Sequence, residues 1–270
     1  INHQTTKKWT ALHSALCRGH MDVAKVLVGH GANLDYPNEN GEVCRPTYER
    51  LLKQELEQQP NREQVPRVLQ MNGISIQIAS DLHLEFYGNE PIDYSKIILP
   101  SAPILALLGD IGIPDGSPHY RDFLLHMASQ FELVLVVAGN HEYYHCKANN
   151  ISYEEVKTEI RRICNLHKNL IFMDKESLSI NGVRILGCTL WSYIPPHAVD
   201  ICTRSLTDYS RIMTRNPETN QLEILTPITS TQWFREDFAW LEREIALSVA
   251  KGEKSIAILT HHTPAFFGTS

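Results

Sequence analysis

Four short polar clusters stand where hydrophobic runs end: Asp81-Leu82-His83, Gly109-Asp110, Gly139-Asn140-His141-Glu142 and Thr260-His261-His262. Carboxylate oxygens, an amide oxygen and imidazole nitrogens are the donor types that borderline divalent metals accept. Two such ions, about 3.5–4 Å apart, can hold a hydroxide between them and stabilise both the attacking and the leaving oxygen of a phosphoryl transfer. Coordination also lets a water lose its proton near neutral pH. Taken singly, each residue has an ordinary reading. Asp81 and Asp110 can close turns, Asn140 after Gly139 is a turn signal, and His83 and His141 can be satisfied structural or surface histidines. Adjacency alone does not make both His261 and His262 ligands. The recurrence of such clusters after four separate apolar runs is what the ordinary readings leave unexplained.

The elements that must position these clusters are legible as alternating strands and helices. Strands are expected at residues 74–79, 102–108 and 131–138, each running directly into a polar cluster. A helix is expected from His119 to Gln130 and another from Ser152 to Leu166, followed by strands at 170–173 and 183–191. The interval 192–227, with its proline pair and polar stretch, reads as a lid or surface excursion. A further helix is expected from Ser230, with Trp233, Phe234, Phe238, Leu241 and Ile245 on its apolar face, and a last strand at 255–260 leads to the histidine pair. Strands that end in polar loops imply an α/β fold in which distant ligands meet at one sheet edge.

In this order the clusters resemble a calcineurin-like metallophosphoesterase domain, whose pattern is DxH, GD, GNH[DE], a histidine after a later strand, and GHxH. The resemblance covers residues 72–270. It implies a four-layer α/β/β/α sandwich and hydrolysis of phosphate mono- or diesters by a bridging hydroxide at a dinuclear centre. It also implies Asp81 and His83 on the first metal, Asp110 bridging, and Asn140 and His261 on the second. His141 would contact the transferring phosphoryl group and protonate the leaving oxygen. Glu142 would organise the loop, and His262 would stand behind the ligands or on the substrate side. Manganese is the first expectation for the two divalent ions, with iron, zinc and other transition metals compatible. The GHxH element, whose two histidines usually complete the two metals, does not follow His261, so the domain is expected to be C-terminally truncated, with activity expected of the intact parent rather than of this stretch alone. Gly109-Asp110-Ile111-Gly112-Ile113-Pro114-Asp115 lacks the GDxxDRG pattern of the main Ser/Thr protein phosphatases, which argues against that substrate class.

Ahead of this domain, the run from Thr10 to Asp35 pairs two short helical patterns around Gly19-His20 and stops at Gly31. It resembles an ankyrin repeat, with Thr10, Leu12, His13, Ala15, Gly19, His20, Leu27, Gly31 and Ala32 on the family pattern and Ala11 in place of its proline. The resemblance gives His13 and His20 structural roles and implies a protein partner. A helix is expected from Pro46 to about Gln58. The resulting organisation is an ankyrin-like segment at 1–58, a linker at 59–71 and a partial phosphoesterase domain at 72–270. The alternative to an enzyme is a non-catalytic ankyrin-phosphoesterase scaffold for protein interaction.

Composition sets the outer bounds. The 270 residues are 43% hydrophobic and 21% charged, as in ordinary globular proteins. A net charge of −6 gives no footprint for nucleic-acid binding. Six widely spaced cysteines without a CxxC pair are expected as reduced thiols. No apolar stretch approaches the roughly 20 residues that span a bilayer. The start at Ile1 is neither an initiator methionine nor a signal peptide, and a cytoplasmic location is the default expectation.

Overall fold

The computed structural model describes residues 2–5, 8–20, 23–24, 27–28, 32–48, 50–51, 67–71, 74–114, 118–216 and 218–264. The chain divides into two compact units, Ile1–Gln64 and Val65–Ser270.

In the first unit, helix α1 (Ala11–Cys17) starts at a reciprocal cap. The Thr10 hydroxyl accepts from the His13 backbone N–H at 3.3 Å, and the His13 ring accepts from the Thr10 N–H at 3.2 Å. Two of the helix's otherwise unpaired N-terminal donors are thereby satisfied. The buried His13 is thus a structural residue, and His20 closes the turn through its backbone, donating to Ala15 O at 2.9 Å. Leu12, Ala15, Leu16, Ala24, Ala32 and Cys44 form the small core of this unit. Of the second expected helix, residues 23–24 and 27–28 are helical and the others lie outside the described residues. The helix expected from Pro46 is helical at 45–48 and 50–51, and its remainder to Gln58 also lies outside them.

The second unit opens with strand β1 (Arg67–Leu69), where the sequence reads as the end of a linker. A three-residue strand carries no periodic signal, and its pairing with a strand more than a hundred residues away is invisible locally. Strands β2 (Ile76–Ala79) and β3 (Ile104–Leu108) follow, then helix α2 (Pro118–Gln130), β4 (Leu133–Val137), α3 (Tyr153–Cys164) and β5 (Leu170–Phe172). After these come β6 (Glu176–Ile180), β7 (Val183–Gly187), short helices α4 (Val199–Ser205) and α5 (Asp208–Arg211), the hairpin β8 (Met213–Arg215) and β9 (Leu222–Ile224), helix α6 (Pro227–Ala250), and β10 (Ser255–Leu259).

Two four-stranded sheets result, with orders β2-β3-β4-β5 and β1-β6-β7-β10. The first is wholly parallel; the second joins a β6–β7 hairpin to parallel partners on either side. That hairpin turns on Asn181-Gly182, both at positive φ (+47° and +83°), the two-residue turn whose twist matches the strands.

Side chains of β3 alternate between two cores. Ile104 and Ala106 meet Leu135, Val137, Leu178 and Ile185 between the sheets. Leu105 and Leu107 meet Phe123, Leu124 and Met127 of α2 and Val156, Ile160 and Ile163 of α3 on the outer face. Beyond the second sheet, Leu186 and Cys188 pack against Trp240 and Leu241 of α6. Helix, sheet, sheet and helix therefore stack in four layers. The apolar run of β3 needs no polar face because both of its faces are covered.

Caps fix the long helices. Ser152 and Glu155 form a capping box at the start of α3, and Thr226 with Pro227 starts α6 three residues before the expected Ser230. The buried stripe of α6 runs through Trp240 and Leu241, whereas Phe238 is 47% exposed. The interval read as a lid or surface excursion is divided: α4 stays on the surface with no buried residue, whereas Tyr209, Ile212 and Leu225 of the α5 and β8–β9 part are buried in the main core. Elements this short leave no hydrophobic period to read. Among the described residues no helix is long and apolar enough to cross a membrane.

Leu135 is fully buried between the sheets. Leu135→Ala should lower unfolding stability by about 2–5 kcal/mol in urea titration, the usual cost of a cavity at a closed site.

Candidate metal centre

Parallel pairing brings the carboxyl ends of β2, β3 and β4 to one edge, so the loops after them face each other. Backbone pairing continues past the strands: Asp81 N–H donates to Gly109 O at 3.1 Å, and His83 N–H to Asp110 O at 3.0 Å. Asp81, His83 and Asp110 all adopt positive φ, at +56°, +49° and +55°. Non-glycine residues in this region carry strain that concentrates at functional sites. Two glycines permit the approach. A Cβ on Gly139 would collide with Asp110 Oδ1 and lie 2.8 Å from the Asp110 backbone nitrogen. One on Gly109, itself at φ +88°, would collide with the His261 ring.

Buried Glu142 ties the two loops together. Its carboxylate accepts the backbone N–H of Asp110 at 3.0 Å, of Ile111 at 2.9 Å and of Gly139 at 2.8 Å. Burial, then the neighbouring Asp110 charge, pushes its pKa up to about 8 against the pull of these three donors.

The expected ligands fall into two groups that share Asp110. Asp81, His83 and Asp110 each offer an atom within 4.8 Å of the others. On the other side, His261 Nε2 lies 3.6 Å from Asp110 Oδ1 and 3.3 Å from Asn140 Oδ1. Second contacts fix how these atoms point. His261 Nδ1 sits 2.8 Å from Leu108 O, an acceptor, so Nδ1 carries the hydrogen and Nε2 presents a lone pair. Asn140 Nδ2 donates to Asp208 Oδ1 at 2.7 Å and to Tyr144 OH at 3.0 Å, which turns the amide oxygen inward. A ring nitrogen, an amide oxygen and a carboxylate thus converge, with Asp110 Oδ1 also accepting the His141 N–H. That donor set fits a cation.

His141 stands beside both groups. Its N–H donates to Asp110 Oδ1 at 2.9 Å, its ring stacks on Tyr144 at 4.0 Å, and its Nδ1 meets Glu85 Oε1 at 3.3 Å. Burial opposes its charge, but the hydrogen bond to Glu85 and the charges of Asp110, Glu85 and Glu142 outweigh it and raise the pKa. For Glu85, burial is likewise outweighed, by hydrogen bonds from His141, from its own backbone and from His83, and its pKa is lowered. His262 packs its ring on Trp191 at 5.2 Å and meets His261 edge-on at 4.8 Å. Burial, then the neighbouring His261, pushes the pKa of His262 down to about 4. Beside Asp81 a cleft of about 450 Å³ opens, walled by Leu82, Leu84, Tyr87, Ile92 and Ile97.

Two participants were not evident in the sequence. Glu85 is separated from its histidine partners by chain, not by space; its one local signal is its place two residues after His83. Asp208 comes from the packed interval after Ser192, where nothing local points to Asn140.

Glu142→Gln keeps the shape of this side chain but turns an amide N–H₂ towards backbone donors. It should cost roughly 1–3 kcal/mol, and Glu142→Ala more, because buried N–H groups lose their acceptor. Urea unfolding of the full chain checks both.

Residues 7–39 match the ankyrin repeat family, and residues 74–269 match the family described as calcineurin-like phosphoesterase. An uncharacterized protein of Acanthamoeba polyphaga mimivirus is 28% identical over 200 residues, spanning 71% of this chain and 68% of its own length. Among solved structures, the phosphopantetheinyl hydrolase of Mycobacterium tuberculosis aligns with a TM-score of 0.49 and 19% identity, over 71% of this chain and 72% of that one. The second family match takes in most of the chain and every residue of the converging groups. The chain therefore belongs to the calcineurin-like phosphoesterases, a family of metal-dependent phosphoester hydrolases, and carries an ankyrin repeat ahead of that domain.

Proposed function

We propose that this chain hydrolyses phosphate mono- or diesters at a dinuclear metal centre formed by Asp81, His83, Asp110, Asn140 and His261. The observation that carries the reading is the set of lone pairs around Asp110, with the hydrogens of His261 and Asn140 engaged elsewhere. Asp81 and His83 would hold one ion, Asn140 and His261 the other, and Asp110 both. Divalent ions bound there would supply an acidified water as nucleophile and offset the charge that gathers on the phosphoryl oxygens. Mixed oxygen and nitrogen ligation suits manganese first, with iron, zinc and related metals compatible.

His141 is proposed to contact the phosphoryl group and to give its ring proton to the leaving oxygen. Its support is position: its backbone is fixed to the shared aspartate and its ring is clamped between Tyr144 and Glu85. Glu142 holds the two loops in register from beneath, and His262 backs His261. The cleft beside Asp81 has apolar walls able to take the organic part of an ester. The ankyrin segment is proposed to engage a protein partner.

The experiment is turnover of p-nitrophenyl phosphate and of its bis-ester by the full chain, with bound metal counted in parallel. Chelation should abolish activity and manganese restore it. His141→Ala should lower kcat by about 10²–10⁴-fold, the usual contribution of a general acid, without loss of metal. Asp110→Asn should lose metal as well. A manganese-loaded chain that turns over neither ester, or whose turnover is indifferent to Asp110→Asn, would overturn the proposal.

A further inference from the structure

Glu85 lies outside the proposed ligand set yet touches the ring of one member, His83, and the ring of the neighbouring His141. It sits on the 3-10 turn Leu84–Tyr87, and its side chain is 11% exposed. A single carboxylate oxygen, Oε1, stands 3.2 Å from His83 Nδ1 and 3.3 Å from His141 Nδ1. The two rings meet edge to face, 4.5 Å between centroids. The other oxygen, Oε2, is buried without a hydrogen-bond partner among the described residues. One atom of each of the three side chains lies within 4.8 Å of the others.

A carboxylate oxygen only accepts, so each Nδ1 facing it must carry a hydrogen. With Nδ1 committed, the remaining ring nitrogen of each histidine is Nε2. We infer that Glu85 is the positioning residue for both histidines, fixing His83 to offer the Nε2 lone pair to a metal ion and His141, as the imidazolium, to carry its second hydrogen on Nε2 towards the leaving oxygen. This rests on the proposed reaction and adds to it a physical link between the metal ligand and the proton donor, which share one anionic oxygen. A carboxylate behind a ligating histidine sets its tautomer and raises its basicity, and removing such a partner typically weakens metal binding 10–100-fold. Here the same removal also frees the ring of His141. A carboxylate that merely filled space would leave tautomer and metal affinity untouched.

The test uses the full chain, metal-free and labelled with ¹⁵N-histidine, at alkaline pH, with His83→Gln and His141→Gln variants assigning the resonances. Wild type should show Nδ1-protonated rings for both histidines. Glu85→Ala should lose that pattern. Glu85→Gln, which keeps an accepting oxygen and the side-chain volume, should retain it in part. In calorimetric titration Glu85→Ala should bind manganese 10–100-fold more weakly, and on the loaded chain kcat should fall more than KM rises. Nε2-protonated rings in wild type, or variants that match wild type within twofold in manganese affinity and keep its ¹⁵N pattern, would overturn the inference. The metal-free spectra decide it separately from the reaction: a wild-type chain that turns over no ester counts against the proposed function, while its tautomers still report on Glu85.

Discussion

The structure of this site depends on one buried carboxylate holding two loops at a fixed distance. Glu142 accepts N–H groups from both sides, Asp110 and Ile111 after one strand and Gly139 after the next. Asp81, His83 and Asp110 hold unfavourable backbone conformations, each costing about 1–3 kcal/mol, and the N–H groups of Asp81 and His83 tie their loop to Gly109 and Asp110, which Glu142 holds in turn. Without that clamp, the strained loops would have no reason to keep their side chains converging.

The remaining contacts act on direction rather than distance. Leu108 O takes the hydrogen of His261, Asp208 and Tyr144 take those of Asn140, and Glu85 takes those of His83 and His141. Each partner turns an acceptor inward by occupying the donor beside it. The glycines at 109 and 139 then allow the two groups to meet at Asp110, since a single added methyl at either would displace the His261 ring or the Asp110 carboxylate. Strain, close packing and oriented lone pairs are features of a preorganised site, in which little rearrangement is left for the reaction to drive.

How much of this could be read beforehand follows from where the information lies in the chain. The apolar runs of β3 and β4 and the helix starting after Ser152 are local patterns, and they form where expected. The polar clusters at strand ends were legible because parallel pairing converts a shared position along the strand into proximity. Asp208 was not legible: it meets Asn140 across 68 residues through elements of three to seven residues that have no period. Glu85 was hidden differently. It lies within reach of a recognised cluster, but its contacts bridge two such clusters, and no spacing rule ties residue 85 to residue 141. The β6–β7 hairpin has a local turn signal at Asn181-Gly182, yet β6 and its turn were not among the expected elements.

The most direct measurement is anomalous diffraction from crystals of the full chain grown with manganese. The account requires two peaks about 3.5–4 Å apart, with an Asp110 oxygen on both, Asp81 and His83 on one, and Asn140 and His261 on the other. Manganese held elsewhere, or no peak among these side chains in crystals saturated with the metal, would contradict it.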